Sequence, residues 1–188
     1  MYTIDFIAVN PGNSSQIVAG SRTVTAYFQS LDAGKTWATV TPSAACGGVN
    51  AFLFNPSGST LYLGGTTGVC RTTDNATTWT PSAVGSYAVA SLAIDPFRPG
   101  TLYAGTALDV ATNTSAVFRS TDGGQTWAPL GTGFPPAAVR TLVMDRSETL
   151  RAGTRGSGVA ELAIIEGQSP IPPPPSSSGR QTRAVTPR

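Results

Sequence analysis

The chain has 188 residues, enough for one domain with a real hydrophobic core. Twelve Lys and Arg face ten Asp and Glu, and three of the cations (Arg180, Arg183 and Arg188) sit in an acid-free tail, so the body offers no electrostatic footprint for nucleic acid. Histidine is absent, which excludes Ser-His-Asp and Cys-His catalysis within the chain, and two cysteines without histidine argue against a zinc site.

The chain opens in a strand, MYTIDFIAV. It has neither the basic start of a signal peptide nor the long apolar run of a membrane-spanning helix. Asn-Pro-Gly from Asn10 breaks this strand, and a small-residue strand runs on to Gly20 and Ser21. The half-alternating AYFQS follows, and then the phrase SLDAGKTW over 30–37. The same order returns as LFNPSGSTLYLGGT from Leu53, GVCRT from Gly68 and TTDNATTW over 72–79. It returns again as AIDPFRPGTLYAGT from Ala93, AVFRS from Ala116 and STDGGQTW over 120–127, now with ALDVATNTSA (107–116) inserted between the second and third strands. A fourth copy, VMDRSETLRAGT from Val143 and GVAEL from Gly158, has no closing phrase. The chain ends in SPIPPPPSSSGRQTRAVTPR, whose Pro and Ser content predicts a disordered tail or linker over 168–188.

Asp32, Asp74 and Asp122 mark the repeat, at steps of 42 and 48 residues. Each unit reads strand, Asn or Asp turn, strand, link, strand, box turn, and a strand starting at Trp. Four short antiparallel strands per forty-odd residues are the signature of a propeller blade. The prediction is therefore an all-β propeller domain over 1–167, with blades near 4–40, 49–84, 90–130 and 139–165. Four blades lie at the lower end of the propeller range of about four to eight, and the fourth lacks a box and a clear last strand. That implies a partial propeller, continued in further blades or completed by another copy.

The box residues suit a tight reversal. The carboxylates of Asp32, Asp74 and Asp122 are expected to accept backbone N–H groups a residue or two ahead. The hydroxyls of Ser30, Thr36, Thr72, Thr78, Ser120 and Thr126 can take up further turn groups. Gly34 and Gly124 fit a position of positive φ. Trp37, Trp79 and Trp127, all the tryptophans of the chain, are expected to bury their rings with the indole N–H bonded. The phrase resembles the Asp-box, or BNR, repeat of sialidases, xyloglucanase-type glycosidases, sortilin-like receptors and photosystem-assembly-factor-like propellers. The first and third copies match in full. The second has Ala76 in the glycine position, which implies a strained or altered turn. The resemblance implies boxes on the blade rim, away from the central site. It implies no single activity, because the family spans enzymes, receptors and assembly factors.

Glycoside hydrolysis usually needs two carboxylates across a cleft. Three of the ten acids are used by the boxes. Asp95 and Asp145 hold the turn position that Asn10 and Asn55 fill elsewhere, so no charge is required there. Glu148 shares that turn, and Glu161 and Glu166 lie in or after the last strand. Only Asp5 and Asp109 lack a repeat-based account. Arg71 and Arg119 occupy one repeat position, and the Arg-Ile-Pro phrase of sialidases is missing. The expected function is a non-catalytic binding or scaffold module without a metal or cofactor. Its protein or carbohydrate ligand would meet loops that include Asp109, Thr112 and Asn113. The alternative is a fragment of a sialidase- or xyloglucanase-like hydrolase whose catalytic carboxylates lie on other blades. Low charge with abundant Ser, Thr, Gly and Asn suits an extracellular or periplasmic protein. Cys46 and Cys70 are either a disulfide within blade 2 or two buried thiols.

Overall fold

A computed structural model describes residues 3–85, 87–106, 117–130 and 137–164. Asp109, Thr112 and Asn113 of the inserted loop, and the tail over 168–188, lie outside the described residues. Among the described residues fifteen strands form four antiparallel sheets in chain order. Blade 1 comprises β1 (Phe6–Val9), β2 (Ile17–Gly20), β3 (Tyr27–Ser30) and β4 (Ala38–Val40). Blade 2 comprises β5 (Val49–Phe54), β6 (Leu61–Gly65), β7 (Gly68–Thr72) and β8 (Thr80–Ser82). Blade 3 comprises β9 (Val89–Ile94), β10 (Leu102–Thr106), β11 (Val117–Ser120) and β12 (Ala128–Pro129). Among the described residues blade 4 has three strands: β13 (Val139–Met144), β14 (Thr149–Thr154) and β15 (Val159–Ala163). The fold is an all-β, partial propeller. The outermost strands begin one residue after Trp37, Trp79 and Trp127 rather than at the tryptophans, which belong to the box turns.

The blades stack in series. The first strands lie side by side in the order β1, β5, β9, β13, so they line the axis and the box turns fall toward the rim. One apolar cluster fills each junction. Between blades 1 and 2 it gathers Val18, Tyr27, Val49, Phe54, Leu61 and Leu63. Between blades 2 and 3 it gathers Tyr62, Val69, Leu92, Leu102, Ala104 and Phe118, and between blades 3 and 4 Tyr103, Val117, Leu142, Leu150 and Ala152. Side chains alternate faces along a strand, so Leu61 and Leu63 point to blade 1 while Tyr62 points to blade 3. Both faces of the inner blades are covered, and β6 and β10 are buried at every residue. No cluster among the described residues joins blade 4 back to blade 1, and the four blades form an open arc.

Cys46 and Cys70 form a disulfide, with Cα atoms 5.7 Å apart, which settles the choice left open by the sequence. It fastens a short 3-10 turn (Ala44–Cys46), capped by the Ser43 hydroxyl, to the third strand of blade 2. Among the described residues no helix is long and apolar enough to cross a membrane.

Candidate functional site

The three boxes share one hydrogen-bond plan. In blade 1 the Ser30 hydroxyl donates to Asp32 Oδ1 (2.8 Å) and accepts from the Gly34 N–H (2.8 Å). Asp32 Oδ1 also accepts the Thr36 N–H (2.9 Å), and Oδ2 accepts the Thr36 hydroxyl (2.6 Å). In blade 2 the Thr72 hydroxyl donates to Asp74 (2.7 Å) and accepts from the Ala76 N–H (3.1 Å), while Thr78 gives Asp74 its N–H (2.9 Å) and hydroxyl (2.6 Å). In blade 3 the Ser120 hydroxyl reaches Asp122 (2.7 Å) and the Gly124 N–H reaches Ser120 (2.9 Å). The Thr126 N–H and hydroxyl close on Asp122 at 2.9 and 2.5 Å. The aspartate therefore spans the whole turn, to the residue four ahead in each box, and the shorter reach expected from the sequence is corrected. In blade 3 the nearer N–H of Gln125 is also taken, at 2.9 Å.

Each turn needs two consecutive residues at positive φ. These are Ala33 and Gly34, Asn75 and Ala76, and Gly123 and Gly124. Blade 2 meets the requirement with two non-glycines, at φ 54° and 70°, and keeps every box bond. A left-handed Ala costs about 1–2 kcal/mol relative to its ordinary conformation, and the turn absorbs that strain.

The Thr36 and Thr78 hydroxyls, then the matching N–H groups and the Ser30 and Thr72 hydroxyls, lower the carboxyls of Asp32 and Asp74 to about 2. Asp122 is held lower still by the same groups, Thr126 first. Hydrogen bonds to the charged form do this. These carboxylates are fixed anions, unsuited to proton donation at neutral pH.

The tryptophans depart from their expected roles. Trp37 is 44% exposed, and its indole N–H reaches Gly34 O (3.1 Å). Trp79 and Trp127 are half-buried in the junction clusters, and their Nε1 atoms have no hydrogen-bond partner among the described residues. Trp79 meets the Tyr27 ring of blade 1 edge-on at 6.3 Å. The boxes also touch the preceding blade: the Ser82 hydroxyl donates to Gln125 O (2.8 Å), and a Cβ at Gly124 would come within 3.3 Å of the Tyr62 ring.

The remaining described acids are also engaged. Asp5 accepts the Ser21 hydroxyl (3.1 Å) and the Arg22 N–H (2.8 Å), which gives it a repeat-independent structural place at the start of blade 1. Asp95 is fully buried, accepts the N–H groups of Phe97 and Arg98 (2.9 and 3.1 Å) and pairs with Arg98 Nε (2.7 Å). Burial pushes its carboxyl up, but the Arg98 side chain and those N–H groups outweigh burial and hold it below the usual range. Arg98 Nη2 reaches Glu148 of blade 4 at 3.3 Å. Asp145 accepts from the Ser147 and Thr149 N–H groups (2.8 and 3.0 Å) and pairs with Arg151, which also pairs with Glu161 (2.8 Å). Charge at Asp95 and Asp145 is thus used, contrary to the reading of these turns as indifferent to it. In blade 1 the corresponding Asn10 spans the junction differently, donating to Gly58 O (2.9 Å).

Tyr103 is fully buried beside Arg119, Asp95, Arg98 and Glu148, and burial raises its phenol. It is shielded from any substrate. A crevice beside the second box, lined among others by Gln16, Ser59, Thr73 and Asn75, includes no titratable side chain.

No protein-family model matches the chain, and no curated protein matches it. Its fold is shared with propeller proteins of solved structure. An ancestral GH74 enzyme superposes with a TM-score of 0.69 at 18% identity, over 86% of this chain and 23% of that one. The GH74 enzyme of Niastella koreensis superposes at 0.67 and 21%, over 85% and 28%. YCF48 bound to D1 peptide superposes at 0.59 and 20%, over 90% and 52%. The chain spans about a quarter to a half of the length of these structures, and the likeness is one of fold.

Proposed function

We propose that this chain is a run of Asp-box propeller blades that works as a non-catalytic binding or scaffold module in an extracytoplasmic compartment. The observation that carries this reading is the state of the acids. All eight described carboxylates are engaged in closing turns or pairing with arginine, and those whose ionisation is clearly perturbed are all held below the ordinary range. A glycosidase acid must instead carry its proton at working pH, through a raised carboxyl. The Cys46–Cys70 disulfide supports an oxidising compartment. The ligand, protein or carbohydrate, would meet the inserted loop with Asp109, Thr112 and Asn113, the least repeat-like part of the sequence. YCF48, one of the fold neighbours, is bound to a peptide in its structure, which favours the protein ligand.

A second reading rests on the short span of the match to the GH74 enzymes, 23% and 28% of their chains. On that reading the chain is a hydrolase fragment whose catalytic carboxylates lie on other blades. Both readings predict no turnover of aryl glycosides, sialosides included, by the 188-residue chain. Turnover that Asp109→Asn abolishes would overturn the module reading. Binding of peptides or oligosaccharides that falls at least tenfold on Asp109→Ala, with no turnover, would support it over the fragment.

A further inference from the structure

The two ends of the arc carry positions that every interior blade buries. The register makes the comparison residue by residue. Ile7 pairs with Ala19 as Phe52 pairs with Leu63, Leu92 with Ala104 and Leu142 with Ala152. Val9 pairs with Ile17 as Phe54 pairs with Leu61. In blades 2 to 4 this leading face packs on the blade before it. In blade 1 no blade covers it: Ile7 is 64%, Val9 51% and Trp37 44% exposed, and only the small Ala19 opposite Ile7 is buried. At the other end, Val159 lies opposite Gly153 as Val117 lies opposite Gly105, Val69 opposite Gly64 and Tyr27 opposite Gly20. Tyr27, Val69 and Val117 are buried by the next blade, whereas Val159 is 70% and Val143 55% exposed.

We propose that two copies of this chain close head to tail, the leading face of blade 1 of each seated on the trailing face of blade 4 of the other. The interface would continue one built three times within the chain, with apolar leading positions against a trailing row of Val or Tyr. One charged residue of blade 4 departs from the interior rows: Arg151 stands where blades 2 and 3 bury Tyr62 and Tyr103, and it would enter the interface paired with Asp145 and Glu161. Glu161 occupies the row of Arg71 and Arg119, which the interior junctions already accommodate, and it is neutralised by Arg151 at 2.8 Å. The size also fits. The four blades correspond to 52% of the YCF48 chain, and two copies make eight blades, within the range of about four to eight for closed propellers. Head-to-tail contacts are heterologous, and a two-fold ring satisfies both ends without leaving an open filament.

The test is light scattering after size-exclusion chromatography on the full chain at micromolar concentration, with circular dichroism to confirm folding of each variant. The chain of 19.2 kDa is expected to run at about twice that mass. Ile7→Arg and Val159→Arg, both at exposed positions, are each expected to run as folded monomers. Mixed together they restore part of the dimer mass, because one junction between them is intact. A wild-type monomer with a single cooperative melt overturns the proposal. So does a dimer that survives Val159→Arg but not Ile7→Arg, which would mean that two blade 1 faces pair with each other. Masses that climb past the dimer with concentration overturn closure.

Discussion

Blade 1 and blade 3 are written in the same phrases and carry the same box bonds, yet they differ in what those phrases bury. Leu102 and Ala104 of blade 3 are sealed by Tyr62 and Val69 of blade 2, and Trp127 joins the same cluster. In blade 1 the residues at the positions of Leu92, Ile94 and Trp127, which are Ile7, Val9 and Trp37, face outward. The box turn closes with the same Ser–Asp–Thr bonds in both blades. Burial of its tryptophan is supplied by the neighbour. A blade is therefore a local object in its turns and a collective one in its core, as expected of repeat architectures with nearest-neighbour coupling.

The largest contrast should come from the second strands. Leu102→Ala is expected to cost about 2–5 kcal/mol, the range for a sealed leucine. Ile17→Ala, at the same position of blade 1 but only partly buried, should cost less, about 1 kcal/mol. Denaturant unfolding would measure both, at a concentration low enough to keep the chain monomeric. Equal losses would mean that blade 1 is covered after all. The tryptophans sharpen the same comparison more gently. Trp127→Ala should cost about 2 kcal/mol, below the 3–5 kcal/mol of a fully buried ring, and Trp37→Ala less than half as much. The reverse order would break the view that the preceding blade provides the burial.

Acid acts on the part that the blades share. Asp32 and Asp74 titrate near 2 when folded and near the ordinary 3.8 when unfolded. Their contribution is present above about pH 4 and is lost as the pH falls toward 2, because the unfolded chain then binds protons that the folded one refuses. The denaturant midpoint is expected to drop over that window, modestly because these groups are exposed and screened. A variant carrying Asp32→Asn, Asp74→Asn and Asp122→Asn together should show a shallower drop. An unchanged slope would show that the box carboxylates do not couple folding to protonation. The smallest effect is a gain. Ala76→Gly should raise stability by about 0.5–1 kcal/mol, since the relief at φ 70° exceeds the extra entropy of glycine in the unfolded chain. A loss on thermal or denaturant unfolding would mean that Ala76 contributes packing to the blade 1 junction that outweighs its strain.

The parts legible in the sequence share a short reach. Asx turns at Asn10 and Asp95 and the Ser/Thr–Asp–Thr box join groups two to four residues apart, so composition and order expose them. Even there the aspartate reaches further than turn composition predicts. Loop chemistry predicts a nearby N–H, whereas the left-handed pair at Ala33 and Gly34 folds the turn back far enough to deliver Thr36. The Arg98–Glu148 bridge had no sequence signal, since it joins two turns fifty positions apart that meet only when blade 3 stacks on blade 4.

By itself, the amino-acid order determined the repeat, the strand succession and the propeller class, because period-two patterning and turn chemistry are properties of consecutive residues. Tertiary structure alone decided that Cys46 meets Cys70, that Trp37 stays open while Trp79 and Trp127 are half-covered, and that Asp95 is buried with its arginine. Each of these depends on bringing together groups that the chain keeps apart, and only the packing of strand on strand and blade on blade does so.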